Sequence, residues 1–275
     1  MTRKILPLLT VAVLLASCGT MRGGGYYQND GPPKRSRVDL STIAEPIPRP
    51  EPRSDSGNDP YIVFGKTYYP LHDVKDYHER GIASWYGKKF HGKRTSSGEP
   101  YDMYAMTAAH RTLPLPSYVR VRNLGNGRAV IVRVNDRGPF LHNRLIDLSY
   151  AAALKLGIVS TGTGIVEVDA LAVETNPAAT ASAKDIDGDL RAPTPAKLPR
   201  LYMQVGAFKS WENAVTLRSR LSEARFGPVF IQSEVRADVR FYRVRVGPIA
   251  SVADSDALLE RALRYGLTDA HIVVE

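Results

Sequence analysis

Three short segments of this 275-residue chain concentrate polar residues that a packed core would not need. The first runs from Gly81-Ile82-Ala83-Ser84-Trp85-Tyr86-Gly87 through Phe90-His91-Gly92-Lys93-Arg94-Thr95-Ser96-Ser97-Gly98-Glu99. The others are Thr107-Ala108-Ala109-His110-Arg111-Thr112-Leu113-Pro114 and Val134-Asn135-Asp136-Arg137-Gly138-Pro139-Phe140. Between them they hold two carboxylates, Glu99 and Asp136, one histidine, His110, and two adjacent rings, Trp85 and Tyr86. Such groups transfer protons, stabilise developing charge or stack on a ligand. Each also has a plain structural reading. Glu99 fits an exposed turn in Ser97-Gly98-Glu99-Pro100, Asp136 can pair with Arg137, His110 can be a structural hydrogen bonder, and the two rings can be core. His72, His78, His91 and His142 show no ligand spacing such as H-x-x-x-H, and the single cysteine excludes a multi-cysteine metal site and an internal disulfide framework. No metal and no cofactor are therefore expected.

These residues need a scaffold, and the sequence around them supplies short alternating segments at 82–86, 118–122 and 129–134. Asn126-Gly127 between the last two predicts a type I′ hairpin, a turn that needs positive φ at both central residues. One helix is predicted over Tyr150–Leu156, with Ser149 as N-cap and Gly157 as stop. Thr163–Val173 alternates again, and Thr161-Gly162-Thr163-Gly164 ahead of it reads as a turn. Residues 60–173 thus form a first module, a small and mostly β barrel.

Residues 198–275 form a second module that repeats itself. Tyr202-Met203-Gln204-Val205-Gly206-Ala207-Phe208 precedes a predicted helix from Ser210 to about Glu223, and Tyr242-Arg243-Val244-Arg245-Val246-Gly247-Pro248-Ile249 precedes one from Ser251 to about Arg264. The two Val-Gly pairs lie 41 residues apart. With Val229–Ile231 and His271–Val274 the order is βαββαβ, a ferredoxin-like sheet with both helices on one face. Alternation aims Met203, Val205, Val244 and Val246 at the helices and leaves Tyr202, Gln204, Arg243 and Arg245 on the open face.

Residues 18–59 and 174–197 lack apolar periodicity and read as a flexible tether and a linker. Ahead of the tether, Arg3 and Lys4 precede an apolar run from Ile5 to Leu15 that is too short to span a bilayer, so residues 1–17 read as a signal peptide. Leu15-Ala16-Ser17-Cys18 resembles a lipobox, which makes Cys18 the expected lipidation site. At about 0.8 kcal/mol per buried methylene, two or three acyl chains give a permanent anchor. Gly19 stands where enterobacterial lipoproteins retained in the inner membrane carry Asp, which favours the outer membrane.

The positive balance, 37 Lys+Arg against 28 Asp+Glu, suits an anionic partner without choosing among nucleic acid, headgroups and acidic wall polymer. A resemblance makes that choice. From Tyr61 to Leu171 the polar strings quoted above resemble the double-psi β-barrel of the rare lipoprotein A family, and the βαββαβ repeat resembles the SPOR domain that recognises peptidoglycan glycan stripped of its peptides. The implied fold class is mainly β plus α+β, a double-psi β-barrel followed by a ferredoxin-like SPOR domain. The resemblance implies endolytic lytic transglycosylase activity on naked glycan strands. Products would carry 1,6-anhydro-N-acetylmuramic acid ends, and the setting would be septal wall remodelling and daughter-cell separation. The expected partners are denuded glycan and, through Cys18, the periplasmic face of the outer membrane, with no nucleic acid.

The family's acidic residue, histidine and aspartate fall on Glu99, His110 and Asp136. Cleavage of a glycosidic bond needs an acid for the leaving oxygen and a negative charge near an oxocarbenium-like transition state. Glu99, partly desolvated beside Trp85 or Tyr86, is expected to be that acid, and Asp136 the ionised partner. The attacking nucleophile is the sugar's own 6-hydroxyl, so no bound water is required. Trp85 and Tyr86 are the expected sugar contacts of the barrel, and Gln204, Phe208 and Arg243 those of the second module. The alternative is a non-catalytic, expansin-like wall binder or division-site scaffold, which needs aromatic faces and amides rather than a carboxylate pair.

Overall fold

The computed structural model describes residues 30–33, 39, 42–141, 143–173 and 199–275. Cys18, the signal peptide, His142 and the linker at 174–197 lie outside the described residues. Among those described, no helix is long and apolar enough to cross a membrane.

The first module opens with a hairpin of β1 (Tyr61–Val63) and β2 (Lys66–Tyr68). Six strands then close a barrel: β3 (His78–Tyr86), β4 (Thr107–His110), β5 (Ser117–Asn123), β6 (Ala129–Asp136), β7 (Ile146–Ser149) and β8 (Gly164–Ala170). Around the barrel the order is β3-β7-β4-β6-β5-β8, with β3–β7 and β4–β6 parallel and the other pairs antiparallel. Alternation along β5, β6 and β8 turns Val119, Val121, Val130, Val132, Val134, Val166 and Val168 inward, where branched side chains fill the barrel. The predicted helix is present as α1 (Tyr150–Leu156). The Ser149 hydroxyl accepts from Ala152 N, Gly157 adopts the left-handed conformation, and Ala151–Ala153 are buried without residue.

The expected type I′ turn is not what joins β5 to β6. Only Gly127 has positive φ; Asn126 instead uses its side chain, accepting from Arg128 N and donating to Leu156 O. The connection is a longer loop held to the end of α1, so a side-chain partner 30 residues away decided its shape.

Residues 42–58, assigned from sequence to the tether, lie along the barrel. Lys155 Nζ donates to Ile43 O at 2.5 Å, and Ile131 N to the Glu45 carboxylate at 2.8 Å. At the other end Asn58 and Leu115 exchange two bonds, Leu115 N to Asn58 Oδ1 at 2.9 Å and Asn58 Nδ2 to Leu115 O at 2.8 Å. Prolines at 46, 48, 50 and 52 fill the span between the anchors.

The second module has its own core. β9 (Leu201–Phe208), α2 (Trp211–Glu223), β10 (Val229–Arg236), β11 (Val239–Ile249), α3 (Val252–Arg264) and β12 (His271–Val274) give the order βαββαβ and a sheet ordered β10-β11-β9-β12. The two helices start where expected, with Ser210 and Ser251 as their N-caps. Met203, Val205, Val244 and Val246 are buried against Ala214, Leu217, Leu221 and Leu259. Gly247, at φ 142°, follows Val246 where a Cβ would meet the Tyr202 ring at 2.8 Å.

Candidate active site

Strand register builds the site. On β4, Ala109 is paired on one side with Asp136 of β6 and on the other with Asp147 of β7, and Asp147 is paired in turn with Ser84 of β3. Directly paired residues project from the same face of a sheet, so Ser84, Asp147 and Ala109 form one row across three strands, and a register shift after Ala108 brings Asp136 of β6 opposite Ala109. Two strand spacings separate the carboxylate-bearing strands, about 10 Å. The residue between them is a buried alanine, and Gly138 packs beside it: a Cβ at Gly138 would stand 3.8 Å from the Ala109 Cβ and 3.9 Å from the Asp147 carboxylate.

Asp136 is held by three donors on one oxygen: Ser96 N at 2.8 Å, Ser96 Oγ at 2.7 Å and Arg137 N at 2.8 Å. The pairing with the Arg137 side chain, one plain reading of the sequence, does not form. That guanidinium turns inward and donates to Gly57 O, His110 O and Leu113 O at 2.7, 3.0 and 2.5 Å.

Asp147 accepts from the Ser84 hydroxyl and keeps a partly exposed edge in a densely packed surround. Loss of hydration raises its carboxyl to about 6, with the Asp136 charge adding to the rise and Ser84, Arg144 and Arg111 opposing it. This residue was not among those expected from sequence.

Glu99 follows a turn in which Gly98, at φ 92°, donates to Thr95 O. Because β6 alternates, Val132 and Val134 face the core while Arg133 and Asn135 share the outer side, and both reach Glu99 Oε2, at 2.8 and 2.9 Å. The Arg133 hydrogen bond holds the Glu99 carboxyl below its ordinary range despite partial burial, with Asn135 helping. The expected desolvated acid beside Trp85 or Tyr86 is thus an ionised carboxylate on a guanidinium, 42% exposed.

His110 is set apart from the carboxylate row by one residue of alternation. It pairs with Ile146 and is 2% exposed. Its Nδ1 accepts from Thr112 N and Leu113 N at 3.2 and 3.0 Å, which assigns the proton to Nε2, 2.9 Å from the Tyr77 hydroxyl. Burial, with Arg111 and Arg137 nearby, lowers the ring to about 3. The unfolded chain, titrating near 6.5, binds more protons between these values, so the barrel's stability is complete above pH 6.5 and falls as pH drops towards 3. The loss from this group is at most about 5 kcal/mol. Urea midpoints measured from pH 7 to 4 are expected to fall more steeply for the parent than for His110→Gln; equal slopes would refute the assignment.

Trp85 and Tyr86 are not open platforms. They are 5% and 8% exposed, Trp85 packed on Tyr150 and Tyr86 stacked on Tyr101 at 4.0 Å. Trp85 is paired with Leu148 across the β3–β7 register, and the rings complete the core. In the second module, Gln204 accepts from Arg243 at 3.3 Å, and Arg243 also pairs with Glu234 at 2.8 Å. Phe208 is half-buried against the core rather than free on the open face. No cluster of metal-ligating side chains is found among the described residues.

Residues 78–170 match the family described as Lytic transglycolase, and residues 199–273 match the SPOR domain. A protein named endolytic peptidoglycan transglycosylase RlpA from Pseudomonas aeruginosa, strain UCBPP-PA14, is 43% identical over 92% of this chain and 90% of its own length. The chain belongs to the RlpA family. The Vibrio cholerae protein of the same name is 38% identical over 98% of this chain and 96% of its own. The crystal structure of the RlpA SPOR domain from P. aeruginosa aligns with 26% of this chain and 96% of that one, at 37% identity and a TM-score of 0.26. RlpA membership places the carboxylate row and its surrounding loops inside the transglycosylase domain, whereas residues 42–58 fall outside both matched segments.

Proposed function

We propose that this chain is an endolytic lytic transglycosylase that cuts peptidoglycan strands stripped of stem peptides, leaving 1,6-anhydro-N-acetylmuramic acid ends. The observation that carries the reading is the pair Asp136 and Asp147, on the strands either side of Ala109, with the Asp147 carboxyl pushed up to about 6. Asp147 enters protonated and gives its proton to the glycosidic oxygen as the bond to the anomeric carbon breaks. Its carboxylate then takes the proton of the 6-hydroxyl as that oxygen closes the anhydro ring, so the site ends as it began. Asp136 and the ionised Glu99 supply the negative field for the oxocarbenium-like transition state. In this reading Glu99 is the electrostatic partner rather than the acid, because Arg133 keeps it ionised. His110 acts by holding the 110–113 loop, whose carbonyls fix Arg137.

The SPOR module supports the preference for denuded glycan, with Gln204 and Arg243 as its contacts, and the lipobox supports an outer-membrane anchor on Cys18 facing the periplasm, enriched at the septum. The test is incubation of the chain lacking residues 1–18 with intact and amidase-stripped sacculi, followed by mass analysis. Release of anhydro ends is expected, with stripped sacculi the better substrate; no release from either would defeat the reading. The segment 198–275, which has its own core, is expected to bind stripped sacculi in preference to intact ones. Equal binding would remove the SPOR assignment of substrate preference.

A further inference from the structure

Arg133 serves two carboxylates. Its Nη1 donates to Glu99 at 2.8 Å, while Nε and Nη2 donate to Glu51 at 3.1 and 2.9 Å. Glu51 belongs to the proline strap, not to the barrel, and also accepts from the Tyr118 hydroxyl on β5. Burial opposes its charge, yet Arg133, Tyr118 and the exposed Arg49 together hold its carboxyl below the ordinary range.

The strap is built to fix that carboxylate. Glu45 is bound to Ile131 at one end, and Ser54, Ser56 and Asn58 are bound to Leu115 and Ser96 at the other. Between the anchors, proline at every second residue sets φ and favours the extended polyproline conformation, at about 3.1 Å per residue. Such a segment has little freedom left to lose when it is laid down. Gly57, at φ 84°, finishes it where a Cβ would meet Ser96 O at 2.8 Å, and its carbonyl accepts from Arg137. One segment therefore touches Arg133 behind Glu99, Ser96 behind Asp136, and Arg137.

We infer that the proline strap is part of the reaction site and that Glu51 is a positioning residue, holding Arg133 so that the guanidinium reaches Glu99 with a single N–H. The inference rests on the reading of Glu99 as an ionised member of the catalytic groove. Without the Glu51 charge, Arg133 is free to turn its fork onto Glu99, which is then neutralised more fully and drawn off its position. Glu51 and Glu99 also repel one another, which removal of Glu51 relieves.

The charged and titratable groups facing this pair are Arg49 on the strap, Tyr118 on β5 and Arg133 on β6. Glu51→Gln keeps the length of the side chain and one bond to Arg133 while removing the charge. In the full chain with carboxyl-labelled glutamate, the Glu99 signal, identified by its loss in Glu99→Gln, is expected to titrate about half a unit lower in Glu51→Gln than in the parent. Glu51→Asp, which restores the charge, is expected to recover most of that shift. On stripped sacculi, kcat of Glu51→Gln is expected to fall about 3–10-fold with KM nearly unchanged. A Glu99 midpoint that is unchanged or higher in Glu51→Gln overturns the inference. The titration needs no turnover, so an inactive parent would defeat the transglycosylase reading and leave this measurement standing.

Discussion

Asp147→Asn is expected to release anhydro ends about 10²–10⁴-fold more slowly than the parent while folding and binding stripped sacculi as well. The amide keeps the size of the side chain and a bond with Ser84 but has no transferable proton. Because the acid must be protonated, kcat/KM of the parent should be level below pH 6 and fall as pH rises through about 6, towards tenfold per unit. That limb should vanish from whatever activity Asp147→Asn retains. Asp136→Asn is expected to lose activity too, and the double variant to be little worse than either single one, since both act on one transition state. Glu99→Gln should cost less than Asp147→Asn, as it removes a charge and not a proton donor. The reverse ranking, with Asp147→Asn nearly as active as the parent, would return the acid role to Glu99.

Arg137→Met should have the largest effect on stability. The guanidinium is buried and donates to carbonyls of residues 57, 110 and 113, so it ties the strap and the 110–113 loop to the end of β6. Methionine fills much of the volume but leaves those carbonyls without a donor, at about 1–3 kcal/mol for each group left desolvated. Local relaxation will recover part of this, and a net loss of about 3–5 kcal/mol is expected. For a barrel of this size that lowers the melting temperature on the order of 10–20 °C. Arg137→Lys should rescue little, because a single ammonium cannot reach three carbonyls spread around a planar fork. A melting temperature within 3 °C of the parent in Arg137→Met would show that the loops do not depend on this side chain.

Local pattern was readable in the sequence, and non-local pairing was not. Ser149 and Gly157 bound a helix by their own chemistry, and the repeated Val-Gly pairs marked the second sheet, so both appear where expected. Asp147 was not among the residues expected from sequence because Ile146-Asp147-Leu148-Ser149 reads as a short strand with one outward acid. Its meaning comes from β7 lying parallel to β3 and antiparallel to β4, a relation spread over more than sixty residues. A signal was present nonetheless: an acid between two apolar strand residues, directly ahead of a helix cap. Alternation on β4 sends His110 to the face opposite Ala109, and Trp85 and Tyr86 are buried as most large rings in a barrel wall are. The strap was misread for a physical reason. The tether reading rested on the lack of apolar periodicity, whereas proline at alternate positions stiffens a chain.

The strap also decides how a mechanical load enters the barrel. A pull on the chain ahead of residue 43 meets its attachments one after another: Lys155 on Ile43, Ile131 on Glu45, Arg133 on Glu51, and last the Ser54–Asn58 cluster on Leu115 and Ser96. Contacts loaded in series peel singly, each at low force, instead of sharing the strain as a sheared strand pair does. Moderate tension would thus detach Glu51 before it disturbs the strands, altering the surroundings of Glu99 while the barrel stays closed.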